Sequence, residues 1–478
     1  MNTRQNLFYN VLLSVSGILI PLIVYPYVSR TLGVGNIGLI NFVDSVINYF
    51  LVFSMMGIGI VGVREVAITK DNPNELNSVF SSLVGLNILF SSVVICALVL
   101  SLFLVPKFWD SRVLIIIGGV KLILNVFLIE WFFRGVQRFK YITLVTLSTK
   151  LIYVVSVFAL VTNKESYIVF FSLTTGLIGI NAFINWRYKR KFVSFYMDLV
   201  DMRRFLIPVL GYGAYGFLIS MYTTFNVIYL GFTHGDSEVA YYTTAIKLYG
   251  VMIALFSAFT TVMLPKMSSL VASDKNHEFE RMLKISFELL WTFAFPCVII
   301  GEFYAPQLLF FLAGPGFEGA LMPMRLLMPL VVIIGIEQIL ISQILMPLKN
   351  DKQVLLNSFI AAIISLIANL LIVDFMGSVG SSLVWLMAEM SVLLLSIYSV
   401  TRYKLDFYSN RVLVRHLVGS LPYVVICVSL SDVSNVFLQF SLLVSLSILY
   451  FLCFHLWFNK TEVIVSFFRN MKLILRRD

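Results

Sequence analysis

The 478-residue chain is 59% hydrophobic and 13% charged, with a mean hydropathy of +0.92. Soluble domains carry roughly a quarter charged residues to cover their surface, so this composition excludes an ordinary soluble enzyme, a disordered chain, a collagen and a secreted disulfide scaffold. A net charge of +10 would suggest nucleic acid for a soluble protein, but here the question is where the lysines and arginines lie relative to a membrane.

A helix that crosses a bilayer needs about 20 mostly apolar residues. Fourteen such runs follow one another, near 7–27, 38–62, 78–105, 113–133, 141–161, 166–186, 205–230, 239–264, 286–312, 321–347, 354–374, 378–400, 413–431 and 434–457. The first, Leu7 to Tyr27, has no charge in 21 residues. A signal-peptide core is shorter, about 7–15 residues, and ends at a small-residue cleavage site, so this run is expected to remain as the first span. With the N-terminus in the cytoplasm, 27 lysines and arginines fall on inner segments, 4 on outer segments (Arg30, Lys107, Arg112, Lys164) and 4 within spans (Lys121, Lys150, Lys247, Arg325). That asymmetry follows the positive-inside rule. It leads us to expect cytoplasmic termini and an even number of spans. It also reads the net charge as a topological signal facing anionic lipid, which removes the nucleic-acid reading.

The expected fold is all-α, a polytopic membrane protein of about 14 transmembrane helices. Helices 1–6 occupy 1–186, a basic cytoplasmic linker 187–204, helices 7–12 occupy 205–401, and helices 13 and 14 with a basic tail occupy 402–478. The halves show faint similarity: span 1 runs out at Leu32-Gly33 and span 7 at Leu230-Gly231, as in transporters built from repeated halves. Prolines cluster in spans 1 (Pro21, Pro26), 7 (Pro208), 9 (Pro296, Pro306) and 10 (Pro323, Pro329). Each bends its helix, either as a hinge for alternating access or as a static kink.

Metal and catalytic chemistry find no foothold. Cys96, Cys297, Cys427 and Cys453 lie in apolar runs without a C-x-x-C spacing, so they are expected to be small buried hydrophobes. His234, His277, His416 and His455 show no metal spacing. There is no G-x-x-x-x-G-K-[ST], D-x-D, H-E-x-x-H or G-x-S-x-G, and no cofactor is expected beyond a coupling H+ or Na+. Trp109, Trp131, Trp186 and Trp457 fall at span ends, where interface anchors belong.

A charge at mid-membrane costs about 2.5–3.5 kcal/mol on insertion scales, so charged residues inside spans carry the most information. At about 1.5 Å per residue, Lys121 and Lys247 lie roughly 12 Å from the outer ends of their spans and Lys150 roughly 13 Å from an inner end. Asp44, Glu130, Glu288, Glu302, Glu337 and Glu389 also lie in spans. Glu130 has Arg134 one turn away, and Glu288 is close to the inner surface. Asp44, Glu337 and Glu389 are deeper and have no local partner. Two readings stand. In one, a wet cavity uses Lys121, Lys150 and Lys247, with Arg30 and Arg64 at its mouths, to attract an anionic headgroup, while Asp44, Glu337 or Glu389 binds a coupling proton or cation. In the other, lysines and acids neutralise each other as internal staples.

The stretch Tyr25-Pro26-Tyr27-Val28-Ser29-Arg30-Thr31-Leu32-Gly33-Val34-Gly35-Asn36-Ile37-Gly38 resembles the start of the polysaccharide transporter family (O-antigen flippases, Wzx-type). So do Gly57 through Arg64-Glu65-Val66-Ala67, Glu130-Trp131-Phe132-Phe133-Arg134-Gly135, Ala240-Tyr241-Tyr242-Thr243-Thr244-Ala245-Ile246-Lys247-Leu248 and Leu264-Pro265-Lys266. The resemblance covers spans 1 to 8. It implies the fold of the multidrug/oligosaccharidyl-lipid/polysaccharide (MOP) exporters, two six-helix lobes around a central cavity, in the bacterial plasma membrane. The implied substrate is undecaprenyl-diphosphate-linked oligosaccharide, moved from the inner to the outer leaflet, and the implied partners are membrane lipids, a polysaccharide polymerase and a chain-length regulator. Spans 13 and 14 resemble the lipid II flippase branch. Two departures matter: span 7 carries Asn226 where the family often has an acid, and the first helix lacks the charges of lipid II flippases, which favours a surface-polysaccharide repeat unit. The rivals are a drug/cation antiporter of the same fold, which should favour acids in its cavity, and a membrane polymerase or glycosyltransferase, which should show a large outer loop or a D-x-D site.

Overall fold

Inside a bilayer every backbone N–H and C=O must be satisfied within its own segment, and the apolar runs do this as helices. The computed structural model describes residues 3–196, 199–405, 409–433 and 435–458, and among them every regular element is helical. In order these are α1 (Thr3–Met55), α2 (Ile58–Thr69), α3 (Pro73–Leu104), α4 (Pro106–Asp110), α5 (Arg112–Leu128), α6 (Glu130–Gly135), α7 (Phe139–Leu160), α8 (Tyr167–Tyr188), α9 (Leu199–Thr223), α10 (Phe225–His234) and α11 (Asp236–Ala272). Then come α12 (Asn276–Phe303), α13 (Ala305–Ala313), α14 (Leu321–Leu327), α15 (Leu330–Ile339), α16 (Asp351–Ala368), α17 (Asp374–Thr401), α18 (Asn410–Leu430) and α19 (Val436–Cys453). Among the described residues, 11 helical segments are long and apolar enough to cross a membrane, or 12 with the pair Asp236–Ala254 and Phe256–Ala272, bent by 47°. The two longest segments, Val15–Thr69 and Asp351–Thr401, are each long enough for the two spans read there. Each contains a non-helical glycine, Gly33 (φ 77°) and Gly377 (φ 55°).

Of the prolines in the spans, Pro329 lies in a helix break, between α14 and α15. Pro21, Pro26, Pro208 and Pro296 lie inside helical runs, so the helices do not end there. Pro306 and Pro323 sit in the first turns of α13 and α14, where a missing N–H costs little. Further breaks fall at Met56 (φ 41°) and Ile129 (φ 38°), where no proline stands. The repeat also needs correcting. Gly33 (φ 77°, ψ 173°) is matched by Gly235 (φ 83°, ψ −170°), a backbone region open essentially to glycine alone. Gly231, paired with Gly33 in the sequence, is helical, and a Cβ there would lie 2.2 Å from the Phe42 ring.

Contacts divide the chain into two compact units. Unit 1 comprises Met1–Thr244, Leu312–Ala320 and Ala362–Trp385; unit 2 comprises Ala245–Phe311, Leu321–Ala361 and Leu386–Asp478. One core of unit 1 centres on Phe80, Trp131, Phe132 and Phe133 with Val61, Val66 and Leu83, all buried. Trp131 is therefore not an interface anchor: it packs on Gly62, whose missing side chain makes room for the indole. Trp186 is diverted too. Together with Phe80 it receives the buried Lys189 ammonium, 4.2 and 4.9 Å from the two ring centroids, a cation–π contact at the start of the basic linker. Trp109 is exposed, with Arg112 over its ring. The Trp457 side chain lies outside the described residues. In unit 2, Tyr304, Cys427, Leu430 and Leu443 form a buried cluster, and His416 reaches Thr292 at 3.3 Å while its ring stacks 5.8 Å from that of His455. Of the cysteines only Cys427 is buried. Cys297 and Cys453 are half-buried and Cys96 is exposed on the apolar surface of α3, where lipid rather than protein would cover it.

Candidate functional site

Unit 1 builds its charged site from a close helix crossing. On α5, Gly118 approaches α1 so tightly that a Cβ would lie 2.3 Å from Ile47. Lys121, one turn on, is thereby delivered to Asp44. Its Nζ lies 2.6 Å from Asp44 Oδ1 and donates to Asn48 Oδ1 at 3.3 Å, while Asn48 Nδ2 donates to Asp44 Oδ2 at 3.0 Å. Asp44 and Asn48 stand one helical turn apart, so the acid is held from its own helix and from a neighbour. The Lys121 side chain is 11% exposed and that of Asp44 37%. The two groups assigned separate roles from the sequence thus form one pair, and Asp44 does have a local partner, Asn48.

Lys150 is placed differently. It is half-buried on α7, and its Nζ donates to the hydroxyl of Ser16 on α1 at 3.1 Å. Ser16 in turn donates to Leu13 O at 2.7 Å. Its hydrogen bond is thus to a neutral hydroxyl, while the Glu130 carboxylate lies within electrostatic reach. Of the residues assigned to the mouths, Arg30 donates to Pro26 O at 2.7 Å and lies against Gly314, in the Gly314-Pro315-Gly316 turn. Arg64 is clasped by Glu65 through two bonds of 3.0 and 2.7 Å.

Unit 2 holds Lys247, half-buried on α11, and the other two candidate acids. Glu337 on α15 and Glu389 on α17 are 5% and 6% exposed, and their carboxyls meet in a side-chain hydrogen bond. The other oxygen of Glu337, Oε1, is buried with no hydrogen-bond partner. Tyr249, also buried, lies within electrostatic reach of both acids. The next residue, Gln338, is fixed by Ser257 at 2.8 Å and Thr260 at 3.1 Å, and the helix then loosens into a π-helical turn, Leu340–Leu345, a feature frequent at functional sites.

Of one polar cluster the sequence marks only Asn226. Asn226, Ser365 and Asn369 in unit 1 are each 0% exposed. Asn226 Oδ1 accepts from Asn369 Nδ2 at 2.6 Å and from Ser365 Oγ at 3.3 Å, and Asn369 Oδ1 has no partner. Neutral amides give no charge signal in a hydropathy reading, and only their rarity in apolar runs could have marked them. Among the described residues no group of three or more His, Cys, Asp or Glu could hold a metal ion.

This arrangement of long, broken, apolar helices with charges paired inside them is a fold shared with solved membrane transporters. The chain superposes on the lipid II flippase MurJ in an inward closed conformation with a TM-score of 0.76 at 15% identity, covering 94% of this chain and 98% of that one. It also superposes on a multidrug resistance MATE family transporter of the MOP superfamily, inward-facing, with a TM-score of 0.61 at 12% identity, covering 89% and 100%. The family is fixed by sequence: residues 3–271 match the family described as Polysaccharide biosynthesis protein, and the chain belongs to it. Two relatives carry the name "Putative O-antigen transporter". The one from Escherichia coli (strain K12) is 23% identical over 85% of this chain and 98% of its own length; the one from Shigella dysenteriae is 24% identical over 83% and 100%.

Proposed function

We propose that this chain is a flippase, not an enzyme. It carries undecaprenyl-diphosphate-linked oligosaccharide repeat units of O-antigen, capsule or another surface glycan from the cytoplasmic to the outer leaflet of the bacterial plasma membrane by alternating access. The observation that carries this reading is Lys150, a charge costly at membrane depth whose partner is a serine hydroxyl. Such a group is stabilised when an anion arrives, and a diphosphate is the anion of this substrate. Lys121 and Lys247 are its proposed companions, with Arg30 and Arg64 guiding the headgroup at the outer and inner mouths. Asp44, Glu337 and Glu389 are the proposed coupling sites for H+ or Na+, and a polymerase and a chain-length regulator are the proposed partners. The family membership and the names of the two relatives support a polysaccharide precursor as cargo. A drug/cation antiporter shares the fold, but an ammonium at this depth repels a cationic substrate.

Deletion of the gene, followed by leaflet-specific labelling of lipid-linked oligosaccharide, tests this directly. Build-up confined to the cytoplasmic leaflet is expected. Normal appearance of the oligosaccharide on the outer leaflet, with altered drug tolerance, would defeat the proposal in favour of the antiporter.

A further inference from the structure

Two helix breaks in unit 1 border one chamber. Met56 separates α1 from α2 and Ile129 separates α5 from α6, and both have the positive φ that side chains other than glycine avoid. For a β-branched isoleucine this is a strong outlier, of the kind that clusters at functional sites. The chamber, of about 340 Å3, is lined by Met55, Gly59, Asn125, Ile129, Glu130 and Arg134 among others. The Leu128 carbonyl beside the break accepts from Asn185 Nδ2 at 2.7 Å. Irregular backbone at membrane depth is tolerated only where it is buried in protein or lines a wet cavity, so the position of these breaks and the chamber explain each other.

The chamber's chemistry is specific. Its walls are mostly apolar, and its two charges are the ends of one loose pair: Arg134 Nη2 stands 3.5 Å from Glu130 Oε2, with the side chains 43% and 29% exposed. A tight guanidinium–carboxylate bond is about 2.7–2.9 Å. The guanidinium is therefore tethered at longer range and keeps its planar fork available to phosphate oxygens. Its backbone is rigid: α6 packs on α2 through Trp131 against Gly62 and through Gly135, where a Cβ would meet Val66 at 2.5 Å and the Val63 carbonyl at 3.1 Å. The charge asymmetry of the sequence assigns this end of spans 2 and 4 to the cytoplasmic face.

We propose that this chamber is a loading site for the diphosphate of an isoprenoid-linked lipid at the inner leaflet. Arg134 takes the phosphate oxygens in exchange for Glu130, and the apolar wall receives the first isoprenoid carbons. This rests on the flippase reading and adds an entry site beside Lys150, which lies within electrostatic reach of Glu130. Glu130 is then a competitor of the ligand, which gives the two variants opposite signs.

The test uses the full-length protein in phosphatidylcholine nanodiscs, titrated with farnesyl diphosphate and, separately, with inorganic pyrophosphate, with empty discs subtracted and thermal unfolding followed for each variant. Wild-type protein is expected to bind farnesyl diphosphate, and Arg134→Gln to weaken that binding about tenfold or more, the loss of a charge-assisted bond. Glu130→Gln is expected to tighten it, and pyrophosphate to bind more weakly than the farnesyl ester. Unchanged affinity in both variants, or weakening in Glu130→Gln equal to that in Arg134→Gln, would overturn the site. Pyrophosphate binding as tightly as the ester would overturn the lipid-borne assignment. If the variants are silent while the gene deletion still traps oligosaccharide inside, the chamber fails and the flippase reading stands. If wild-type protein binds no farnesyl diphosphate, the loading site fails outright, and normal outer-leaflet labelling in the deletion would show that the flippase reading fails with it.

Discussion

Lys150→Ala is expected to reduce export of lipid-linked oligosaccharide to about a tenth or less, while the protein remains in the membrane at its normal level. The size follows from the bond that is lost. A hydrogen bond to a charged group is worth about 1.5–3 kcal/mol, and each 1.4 kcal/mol is about a factor of ten. The stability effect has the opposite sign to the usual buried-charge mutation. In the resting protein the ammonium donates to a neutral hydroxyl, Ser16, and has Glu130 only at electrostatic range, so removing it deletes a charge that costs about 2.5–3.5 kcal/mol at mid-membrane and leaves a serine that still donates to Leu13 O. Thermal unfolding of Lys150→Ala is therefore expected at or above the wild-type midpoint, and Lys150→Arg should keep most of the export. Full export by the alanine variant would end the assignment of this lysine.

The Asp44–Lys121 pair separates the two readings that the sequence leaves open. Removing one member of a buried pair strands the other, at about 3–5 kcal/mol when burial is complete. Asp44 is 37% exposed, so solvent relieves part of this and about 1–3 kcal/mol is expected for Lys121→Met or Asp44→Asn alone. The double variant removes both charges and should regain most of that loss. Export is the second readout. If the pair is only a staple, the double variant exports as well as it folds. If Lys121 leaves Asp44 to hold the cargo, the double variant is stable and inactive, and this is the outcome expected here.

Hydropathy made the helices legible, because an apolar run in lipid has few other solutions. The Glu130–Arg134 pair followed from i,i+4 spacing. The long-range facts did not follow. Lys121 was read apart from Asp44 because their meeting depends on Gly118 admitting Ile47, a crossing without a signature in either helix. Prolines mark the break at Pro329 but not the others: Met56 and Ile129 take positive φ although nothing in their identity announces it, and span 8 bends by 47° in a stretch without proline between Asp236 and Leu264. Trp131 and Trp186 sat at span ends as interface residues do, yet Gly62 and Lys189 claim their rings. The repeat was visible as Leu-Gly, but the dihedral angles select Gly235 as the partner of Gly33. Asn226 stands out only against the family pattern, and its partners Ser365 and Asn369 are hidden because uncharged amides and hydroxyls barely disturb an apolar average.

The most direct measurement is transbilayer movement of fluorescently labelled, diphosphate-linked oligosaccharide lipid in vesicles containing the purified protein, read with a quencher that cannot cross the bilayer. With wild-type protein, label that starts in the inner leaflet should become accessible over time; with Lys150→Ala it should stay shielded, as in vesicles without protein. Continued shielding with the wild-type protein, or equal movement with Lys150→Ala, would contradict a flippase that grips its cargo through this lysine.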